Sequence, residues 1–336
     1  MKLRRELLGN VRCVVIKLGT GLLTDENRRL SGSRIEQVVM QLAGLREDKR
    51  QIVVVSSGAI AAGMARLGLK QRPKKLNELQ ACAAIGQCDL MIYYRAMFER
   101  YGIVVAQVLL THDDLKNRDR HLNARNTLSE LLARGVVPVI NENDTVAVDE
   151  IKFGDNDRLG ALTATLIDAD LLIILSHVEG LLDRDKHLVP VVPEITREIE
   201  ALAGGTDRET NVGGMKSKIE AAKIVTRAGI PMIIANTLAA DEAGTLFLPK
   251  PGKLESRKRW IAFFQRPAGT LIVDDGAKNA LCTGGKSLLA KGVVRAEGNA
   301  AAGDVVSIRD ASGTEFARGL LREGNVIVHR DDLVIL

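Results

Sequence analysis

The sequence predicts an α/β protein in which a doubly wound, mainly parallel sheet is sandwiched by helices and is followed by a small β-barrel domain. Short runs of β-branched residues alternate with longer stretches of helical periodicity over about the first 240 residues. This alternation is typical of buried parallel strands that are joined by crossover helices. Beyond it come short strand-like pieces split by glycine or aspartate. We therefore expect two domains of different architecture.

Each element of the first domain is predicted from its own residue pattern. The expected strands are the β-branched runs 11–16, 52–55, 103–110, 136–140, 171–175 and 231–234. The expected helices are the stretches 35–45, 76–100, 122–133, 159–167 and 215–228. A helix between consecutive parallel strands gives the right-handed crossover that such sheets use.

A composition break marks the expected domain boundary. Pro249, Pro251 and Gly252 interrupt the alternation, because neither proline nor glycine continues a helix or a central strand. We predict a first domain over residues 1–250, a linker over 251–259 and a β domain over 260–336. The strands expected in the β domain are 270–273, 292–295, 304–308, 315–320, 325–328 and 333–336.

Length and composition indicate a globular cytoplasmic protein. The chain has 336 residues, of which 46% are hydrophobic, so it can bury a large core. No apolar run approaches the roughly 18 to 20 residues that span a bilayer, and the first residues lack the apolar stretch of a secretory signal. Its four cysteines have no CxxC spacing, which favours reduced thiols over disulfides or a zinc site.

The net charge of +5 does not predict nucleic-acid binding, because of where the charge lies. Residues 253–259 carry four basic residues and one acidic residue, so the excess coincides with the predicted linker. Residues 260–336 carry nine basic and nine acidic residues. We therefore expect neither a membrane nor a nucleic acid as a partner.

Polar residues end or follow the predicted strands of the first domain. They are Lys17, Ser56 and Ser57, Thr111, Asn141, Ser176 and Asn236. Loop composition explains any one of these residues. All of them, however, fall at the carboxyl edge of a parallel sheet, where open α/β sheets bind their ligands. We therefore expect a ligand site along this edge.

Lys17 predicts that this site binds an anion. It closes an apolar run and is followed by Gly19 and Gly21, so an ammonium group and backbone N–H groups meet at the strand end. The site is not a Walker P-loop. The Gly-Lys-Ser sequence at Gly285 has Ala280 where the P-loop pattern requires a glycine.

Two polar motifs lie close together in the middle of the chain. They are Asn141-Glu142-Asn143-Asp144 and Gly154-Asp155-Asn156-Asp157. Helix capping by the second motif, or a solvated loop, would explain part of this polarity. An EF-hand is excluded, because the carboxylate spacing and the required glycine and terminal glutamate are absent. The motifs are therefore candidates for ligand binding.

A further anion site is expected where Gly213 and Gly214 open a helix at Met215. At 100° per residue, Lys218 falls on the apolar arc of this helix, whereas Lys216 and Lys223 fall on the other side. Lys218 is therefore the lysine that turns inward. A stem lying along the edge of the packed face, with its charge in water, is the alternative.

Five motifs, in order, resemble those of the glutamate 5-kinase family within the amino acid kinase superfamily. They are Lys17-Leu18-Gly19-Thr20, Ser56-Ser57-Gly58-Ala59-Ile60-Ala61-Ala62-Gly63, Asn141-Glu142-Asn143-Asp144, Phe153-Gly154-Asp155-Asn156-Asp157 and Gly213-Gly214-Met215. The likeness runs from about residue 11 to residue 240. The tail, with Leu288-Leu289-Ala290-Lys291-Gly292-Val293 and Gly303-Asp304-Val305-Val306, is similar to the PUA domain of many bacterial members. The resemblance implies the amino acid kinase fold followed by a PUA-like β domain.

The resemblance implies ATP-dependent phosphorylation of the γ-carboxylate of L-glutamate to L-glutamyl 5-phosphate, the first step of proline biosynthesis. It also implies phosphate-bound Mg²⁺, feedback inhibition by proline and a homo-oligomer, dimer or tetramer. A carboxylate with a pKa of about 4.3 is already ionised at pH 7, so the nucleophile needs no general base. Catalysis must then come from positive charge that brings two anions together.

The family's functional residues carry over by matching position. Lys17 and Lys218 would hold the transferring phosphoryl group, and Asp157 would orient the two lysines. Ser57, Asp144 and Asn156 match glutamate-binding positions, and Asp144 is our hypothesis for the contact with the α-ammonium group. The ATP-binding positions would be Lys17, Ser176, His177, Gly213, Gly214, Met215, Lys216, Ser217 and Lys218. The resemblance assigns no metal ligand from the protein.

One departure and two rival functions remain open at this stage. Where the family usually has Thr or Ser followed by Asp, the chain has Ser176-His177, so a carboxylate is lost on the ATP side. An RNA-binding or RNA-modifying protein is a rival reading, which the balanced charge of the tail disfavours. A ligand-sensing regulator without turnover is the other, which the presence of both Lys17 and Lys218 disfavours.

Overall fold

The computed structural model describes residues 2–27, 29–147, 156–204, 214–238, 243–250 and 255–336. The chain divides into two compact units, Met1–Pro251 and Gly252–Leu336. Over the described ranges, every helix is too short or too polar to serve as a membrane-spanning segment.

The first unit is built on one eight-stranded sheet with the strand order β3-β4-β2-β1-β5-β7-β8-β6. The strands are β1 Cys13–Leu18, β2 Gln51–Ser56, β3 Val105–Leu110, β4 Val137–Glu142, β5 Leu171–Leu175, β6 Val191–Val192, β7 Met232–Ala235 and β8 Thr245–Phe247. All neighbouring strands run parallel except β7 and β8. The six predicted strands are confirmed, and the short strands β6 and β8 were not predicted.

Helices connect these strands. They are α1 Lys2–Gly9, α2 Thr20–Leu23, α3 Gly32–Glu47, α4 Ala59–Arg66, α5 Leu76–Glu99, α6 His112–Lys116, α7 Arg118–Ala133, α8 Asn156–Ile167, α9 Arg197–Leu202 and α10 Met215–Arg227. The five predicted helices are confirmed as α3, α5, α7, α8 and α10. The mainly parallel α/β fold that the sequence predicts is therefore the fold of this unit.

The central strands are buried because their side chains are apolar on both faces. Every residue of β5 is buried, and in β1 and β2 only the first residue is partly exposed. Ile16 and Val54 belong to a core cluster to which α3 contributes Ile35 and Leu42 and α5 contributes Tyr94. Burying each such side chain contributes about 1.5–3 kcal/mol. The core therefore fixes the strand ends that carry the polar residues.

Helices α4 and α5 cross at two glycines. A Cβ atom on Gly63 would lie 1.8 Å from the Cys82 carbonyl oxygen, and one on Gly86 would lie 1.8 Å from the Ala59 carbonyl oxygen. Only glycine fits at such a distance, so α5 holds the first turn of α4 in place.

The order of the strands places a switch point at β1. The chain adds β2, β4 and β3 on one side of β1 and then adds β5 and β7 on the other side. Crevices at the carboxyl edge of such a switch point are where doubly wound folds bind ligands. Lys17, on β1, therefore lies at the centre of this edge.

The polar stretch 111–120 contains α6 and the start of α7. Thr111 and Asp114 form a capping box at the start of α6, and Arg120 on α7 pairs with Asp114 at 3.0 Å. Asp114 therefore joins α6 to α7, whereas the sequence pattern predicted a single helix over 122–133. Local capping explains the difference, because the acidic residues satisfy helix N–H groups.

The second unit is rich in β structure, as predicted. Its strands are β9 Gly269–Val273, β10 Leu288–Leu289, β11 Val293–Gly298, β12 Val305–Arg309, β13 Glu315–Leu320, β14 Val326–Val328 and β15 Leu333–Ile335. They form a five-stranded sheet, β11-β9-β12-β13-β15, and a two-stranded sheet, β10-β14. The apolar faces enclose a separate core that includes Leu271, Ile308 and Val328.

Part of the predicted linker is ordered helix. Residues 251–254 lie outside the described residues, whereas Ser256–Arg259 form α11, which leads into a π-helical turn over Trp260–Phe264. Arg257 pairs with the buried Asp332, which also pairs with Arg322. Arg257 of the predicted linker therefore has a structural role within the second unit.

Candidate active site

Two buried lysines share one buried carboxylate at the centre of the sheet edge. The Nζ atom of Lys17 lies 2.6 Å from Oδ1 of Asp157, and the Nζ atom of Lys218 lies 2.9 Å from Oδ2. The exposed fractions of Lys17, Asp157 and Lys218 are 6%, 0% and 3%. The structure thus brings together the three residues for which the family resemblance implies a catalytic role.

Each of the three residues comes from a different element. β1 supplies Lys17, the first turn of α8 supplies Asp157, and the first turn of α10 supplies Lys218. Gly160 allows α8 to lie against β1, because a Cβ atom there would be only 3.3 Å from the Cβ of Lys17. The site therefore depends on close packing between a helix and the central strand.

Asp157 is held in its ionised form. Burial alone would raise the pKa of Asp157, but the neighbouring Lys17 and Lys218 ammonium groups outweigh it and lower the pKa below its usual value. Ser217 also donates to Oδ2 at 2.7 Å. The carboxylate is thus an acceptor for three donors, which suits an orienting group better than a proton-accepting base.

The Lys218 side chain does not extend along the helix to place its charge in water. The predicted apolar arc of α10 is confirmed, because Lys218 and Ile219 are buried. On the other side of the helix, Lys216 is exposed and Lys223 pairs with Glu220 at 2.8 Å. The inward direction of Lys218 therefore follows from helical periodicity, and Asp157 compensates its buried charge.

A network of side-chain amides lies beside this cluster. Nδ2 of Asn156 lies 2.8 Å from the carbonyl oxygen of Ser56, 2.9 Å from Oγ of Ser57 and 3.0 Å from Oδ1 of Asn141. Asn156 is the first residue of α8, yet its side chain binds the ends of β2 and β4. The polarity of this segment therefore links the strand ends.

Two members of this network were not singled out by sequence reasoning. Oε1 of Gln87 accepts from Nδ2 of Asn141 at 2.9 Å, and the hydroxyl of Tyr94 lies 2.8 Å from Oγ of Ser56. Both side chains come from the middle of α5. The signal that could have found Gln87 is an amide on the largely apolar buried face of α5.

Asp144 follows β4 in a half-buried turn. Burial raises the pKa of Asp144 to about 6, although the positive charge of Arg72 acts in the opposite direction. On the same side of β1, Gly58 has a φ of 106° and precedes α4, whose start has no side-chain cap. Ser57 and the first N–H groups of α4 therefore lie beside Asn156.

Apart from Lys17 on β1, the predicted ATP-side residues follow β5 or lie at the start of α10. Ser176 is buried and its backbone N–H donates to the Ala235 carbonyl oxygen at 2.9 Å, whereas His177 is exposed. The start of α10 at Gly214 has no side-chain cap, and Oγ of Ser217 lies 2.9 Å from the Gly214 carbonyl oxygen. Met215 is partly buried. Gly213, Gly154 and Asp155 lie outside the described residues.

Within the described ranges, one group of side chains has the spacing of a possible metal site. It consists of Asp183, Asp185 and His187 in a largely exposed turn. An oxygen of Asp183 accepts the backbone N–H groups of Asp185 and His187, so this turn explains the cluster without an ion.

Comparison with known proteins gives the family. Residues 12–236 match the amino acid kinase family, and residues 269–323 match the PUA domain. Among solved structures, carbamate kinase from Giardia lamblia bound to AMP-PNP has a TM-score of 0.52 and 18% identity. The match covers 72% of this chain and 99% of that chain. At this identity the likeness shows the fold alone.

Relatives that match nearly the whole chain are much closer in sequence. Glutamate 5-kinase of Pelobacter propionicus is 45% identical, across 99% of this chain and 100% of its own length. Glutamate 5-kinase of Moorella thermoacetica is also 45% identical, across 99% of this chain and 98% of its own length. The chain therefore belongs to the amino acid kinase family and, within it, to the glutamate 5-kinases.

Proposed function

We infer that the chain transfers the γ-phosphoryl group of ATP to the side-chain carboxylate of L-glutamate. The product is L-glutamyl 5-phosphate, and the reaction is the first step of proline biosynthesis. Family membership supports this function. The observation that carries it is the pair of buried lysines on one carboxylate at the switch point of the sheet.

The cluster has the charge that this reaction needs. An anionic nucleophile must approach an anionic triphosphate, so repulsion between them is the main obstacle. Lys17, Lys218 and the ionised Asp157 together carry a net charge of about +1 in a buried setting, where charge acts more strongly than in water. We propose that both ammonium groups bind the transferring phosphoryl group and that Asp157 orients them.

We propose that ATP binds along β5 and the start of α10. The helix start at Gly214 can present backbone N–H groups to phosphate oxygens, and the exposed Lys216 can approach them from solvent. Gly213, Met215 and Ser217 belong to the same proposed segment. Ser176 and His177 would contact the nucleotide at the end of β5.

Mg²⁺ is proposed as an ion that arrives with ATP. Both oxygens of Asp157 already accept from lysines, and Ser217 adds a third donor, so this carboxylate is a poor metal ligand. The two ammonium groups and the Ser217 hydroxyl are donors and suit phosphate oxygens as acceptors. The phosphate oxygens of ATP would in turn bind the Mg²⁺ ion. Bound Mg²⁺ supplies further neutralisation of phosphate charge.

We propose that glutamate binds on the other side of β1, beside β2 and β4. Ser57 and the uncapped start of α4 can donate to a substrate carboxylate, and Asn156 supplies a further polar contact. Asp144 would pair with the α-ammonium group. This arrangement leaves the two lysines between the acceptor and the nucleotide.

Three further properties are proposed from the family resemblance. They are feedback inhibition by L-proline, assembly into a homo-oligomer and a cytoplasmic location. Inhibition assays with proline, light scattering and cell fractionation test them one by one.

The proposed function is tested by ADP release over a panel of amino acids in the presence of hydroxylamine. Hydroxylamine traps an acyl phosphate as a hydroxamate, so the assay reports both the reaction class and the acceptor. We expect hydroxamate with L-glutamate, and none with L-aspartate or without ATP. ADP release that is independent of glutamate, or that yields no hydroxamate, would overturn the function.

A further inference from the structure

Backbone groups fix the orientation of the amides around Asn156. The Ser56 carbonyl can only accept a hydrogen bond, so the Asn156 atom 2.8 Å from it is the donor Nδ2. The same Nδ2 then requires an acceptor from Asn141, which is Oδ1. The backbone N–H of Glu142 can only donate, and it also points to Oδ1 of Asn141 at 2.9 Å. The two amides therefore have one consistent orientation.

This orientation extends to Gln87. Because Oδ1 of Asn141 is used by two donors, its Nδ2 faces Gln87, which must present Oε1. Nε2 of Gln87 is then left buried and, among the described residues, without a hydrogen-bond partner. Leaving a buried donor unpaired costs about 1–3 kcal/mol. Rotating the Gln87 amide would instead place its Nε2 against Nδ2 of Asn141, so that two donors would face each other. The observed orientation keeps the hydrogen bond with Asn141 and leaves Nε2 unpaired.

Helix α5 contacts both strand ends on the glutamate side. Tyr94, two turns after Gln87 on the same helix face, meets Ser56 at the end of β2. Gln87 meets Asn141 near the end of β4. Gly86, next to Gln87, brings the first turn of α4 against α5. Through these three residues, α5 therefore contacts the elements that form the proposed amino-acid site.

We propose that Gln87 is a positioning residue for the amino-acid substrate, an inference that rests on the proposed function. The backbone fixes which way the two amides face, and Gln87, by accepting from Nδ2 of Asn141, holds the Asn141 side chain in place against Asn156. Nδ2 of Asn156 is then committed to the protein, so its Oδ1 is the atom left for the substrate. A carbonyl oxygen accepts from the α-ammonium group of an amino acid, whereas an amide NH₂ group would repel it.

The test compares two variants at Gln87. Gln87→Met removes the acceptor at nearly constant volume, so Nδ2 of Asn141 loses its partner and the Asn141 side chain is held less firmly against Asn156. We expect the glutamate KM to rise about tenfold, which corresponds to ~1.4 kcal/mol, while the ATP KM stays within about twofold. Gln87→Glu restores an oxygen acceptor, and burial favours its neutral form, which accepts and donates like the amide. We expect Gln87→Glu to keep the glutamate KM within about threefold of wild type.

Gln51→Met is the matched control. Gln51 begins β2, at the opposite edge of the sheet from Ser56, and its side chain donates to the Leu132 carbonyl oxygen. The control is expected to leave both KM values unchanged. Equal rises in the KM of glutamate and ATP, or no rise in Gln87→Met, would overturn the inference. If Gln87→Met does not melt cooperatively, Gln87→Glu decides, and a glutamate KM raised tenfold in that variant would contradict it.

The wild-type protein separates this inference from the proposed function. Absence of glutamate-dependent hydroxamate in wild type contradicts the function itself. Hydroxamate in wild type with no selective change in the Gln87 variants contradicts the role of Gln87 alone.

Discussion

Lys17 and Lys218 bind opposite oxygens of the Asp157 carboxylate, at 2.6 Å and 2.9 Å, although they come from the first strand of the sheet and from a helix near its last strands. A single carboxylate thereby sets the positions of two ammonium groups. Because all three side chains are buried, their charges are weakly screened by solvent. We propose that this geometry is the structural basis of phosphoryl transfer.

Asp157→Asn tests the orienting role of the carboxylate. The substitution keeps the shape but leaves two buried ammonium groups without a counter-ion, which typically costs about 3–5 kcal/mol. We expect a lower melting temperature and a kcat that falls about 10²-fold or more. Steady-state kinetics and thermal unfolding measure the two effects.

Asp170→Asn is the control for Asp157→Asn. Oδ2 of Asp170 accepts the backbone N–H groups of Arg12 and Cys13 at the amino edge of the sheet. This variant is expected to lose some stability and to keep its kcat. A kcat for Asp157→Asn as high as that of the control would refute the orienting role.

The pH dependence of glutamate binding tests Asp144. Its pKa of about 6 means that the carboxyl group of the free enzyme becomes neutral as the pH falls below that value. Only the ionised form attracts the α-ammonium group, so the glutamate KM should rise roughly tenfold from pH 7 to pH 5. The ATP KM measured in the same buffers serves as the internal reference.

Asp144→Asn should remove this pH dependence. The amide cannot ionise, so we expect a glutamate KM that is raised at every pH and nearly constant between pH 5 and pH 7. The ATP KM should change far less. A comparable rise in both KM values, or an unchanged pH profile, would show that Asp144 does not bind the ammonium group.

Gly160→Ala tests the contact between α8 and β1. The added methyl group would lie 3.3 Å from the Cβ of Lys17, so the helix must move by a few tenths of an ångström. Shifts of this size in a catalytic group lower the rate, and we expect kcat to fall about tenfold. Kinetics at saturating ATP and glutamate measure the loss.

Gly44→Ala is the matched control for Gly160→Ala. Gly44 lies inside α3, and a Cβ atom there would have no heavy atom within 4 Å. Alanine in the interior of a helix is expected to stabilise the protein by about 0.5–1 kcal/mol. Equal kcat values for the two alanine variants would mean that the helix contact does not set the position of Lys17.

The sequence predicts the central fold well because its signal is local. Continuous apolar runs such as Leu171–Leu175 can only be satisfied by strands buried on both faces. The strands Val191–Val192 and Thr245–Phe247, at one end of the sheet, are too short to give such a signal. They are strands because neighbouring backbone groups pair with them, which is a tertiary effect.

The residues of the candidate site likewise divide into those with a local sequence signal and those defined only by tertiary packing. Lys17 and Lys218 can be singled out because a strand end and a helical arc predict where their side chains point. Gln87 carries only the weaker signal of an amide on a buried helix face, and Tyr94 fits the helical period of α5 like any packed residue. Their contacts with Asn141 and Ser56 exist only after the helix has packed on the sheet.

The most direct test of the two-lysine account is the rate of glutamate-dependent hydroxamate formation in Lys17→Met and Lys218→Met at saturating substrates. Lys223→Met is the control, because Lys223 lies on the same helix as Lys218 but pairs at the surface with Glu220. We expect each buried-lysine variant to lose about 10²-fold or more of the rate, and the control to stay within about twofold. Wild-type rates in either buried-lysine variant would contradict the account.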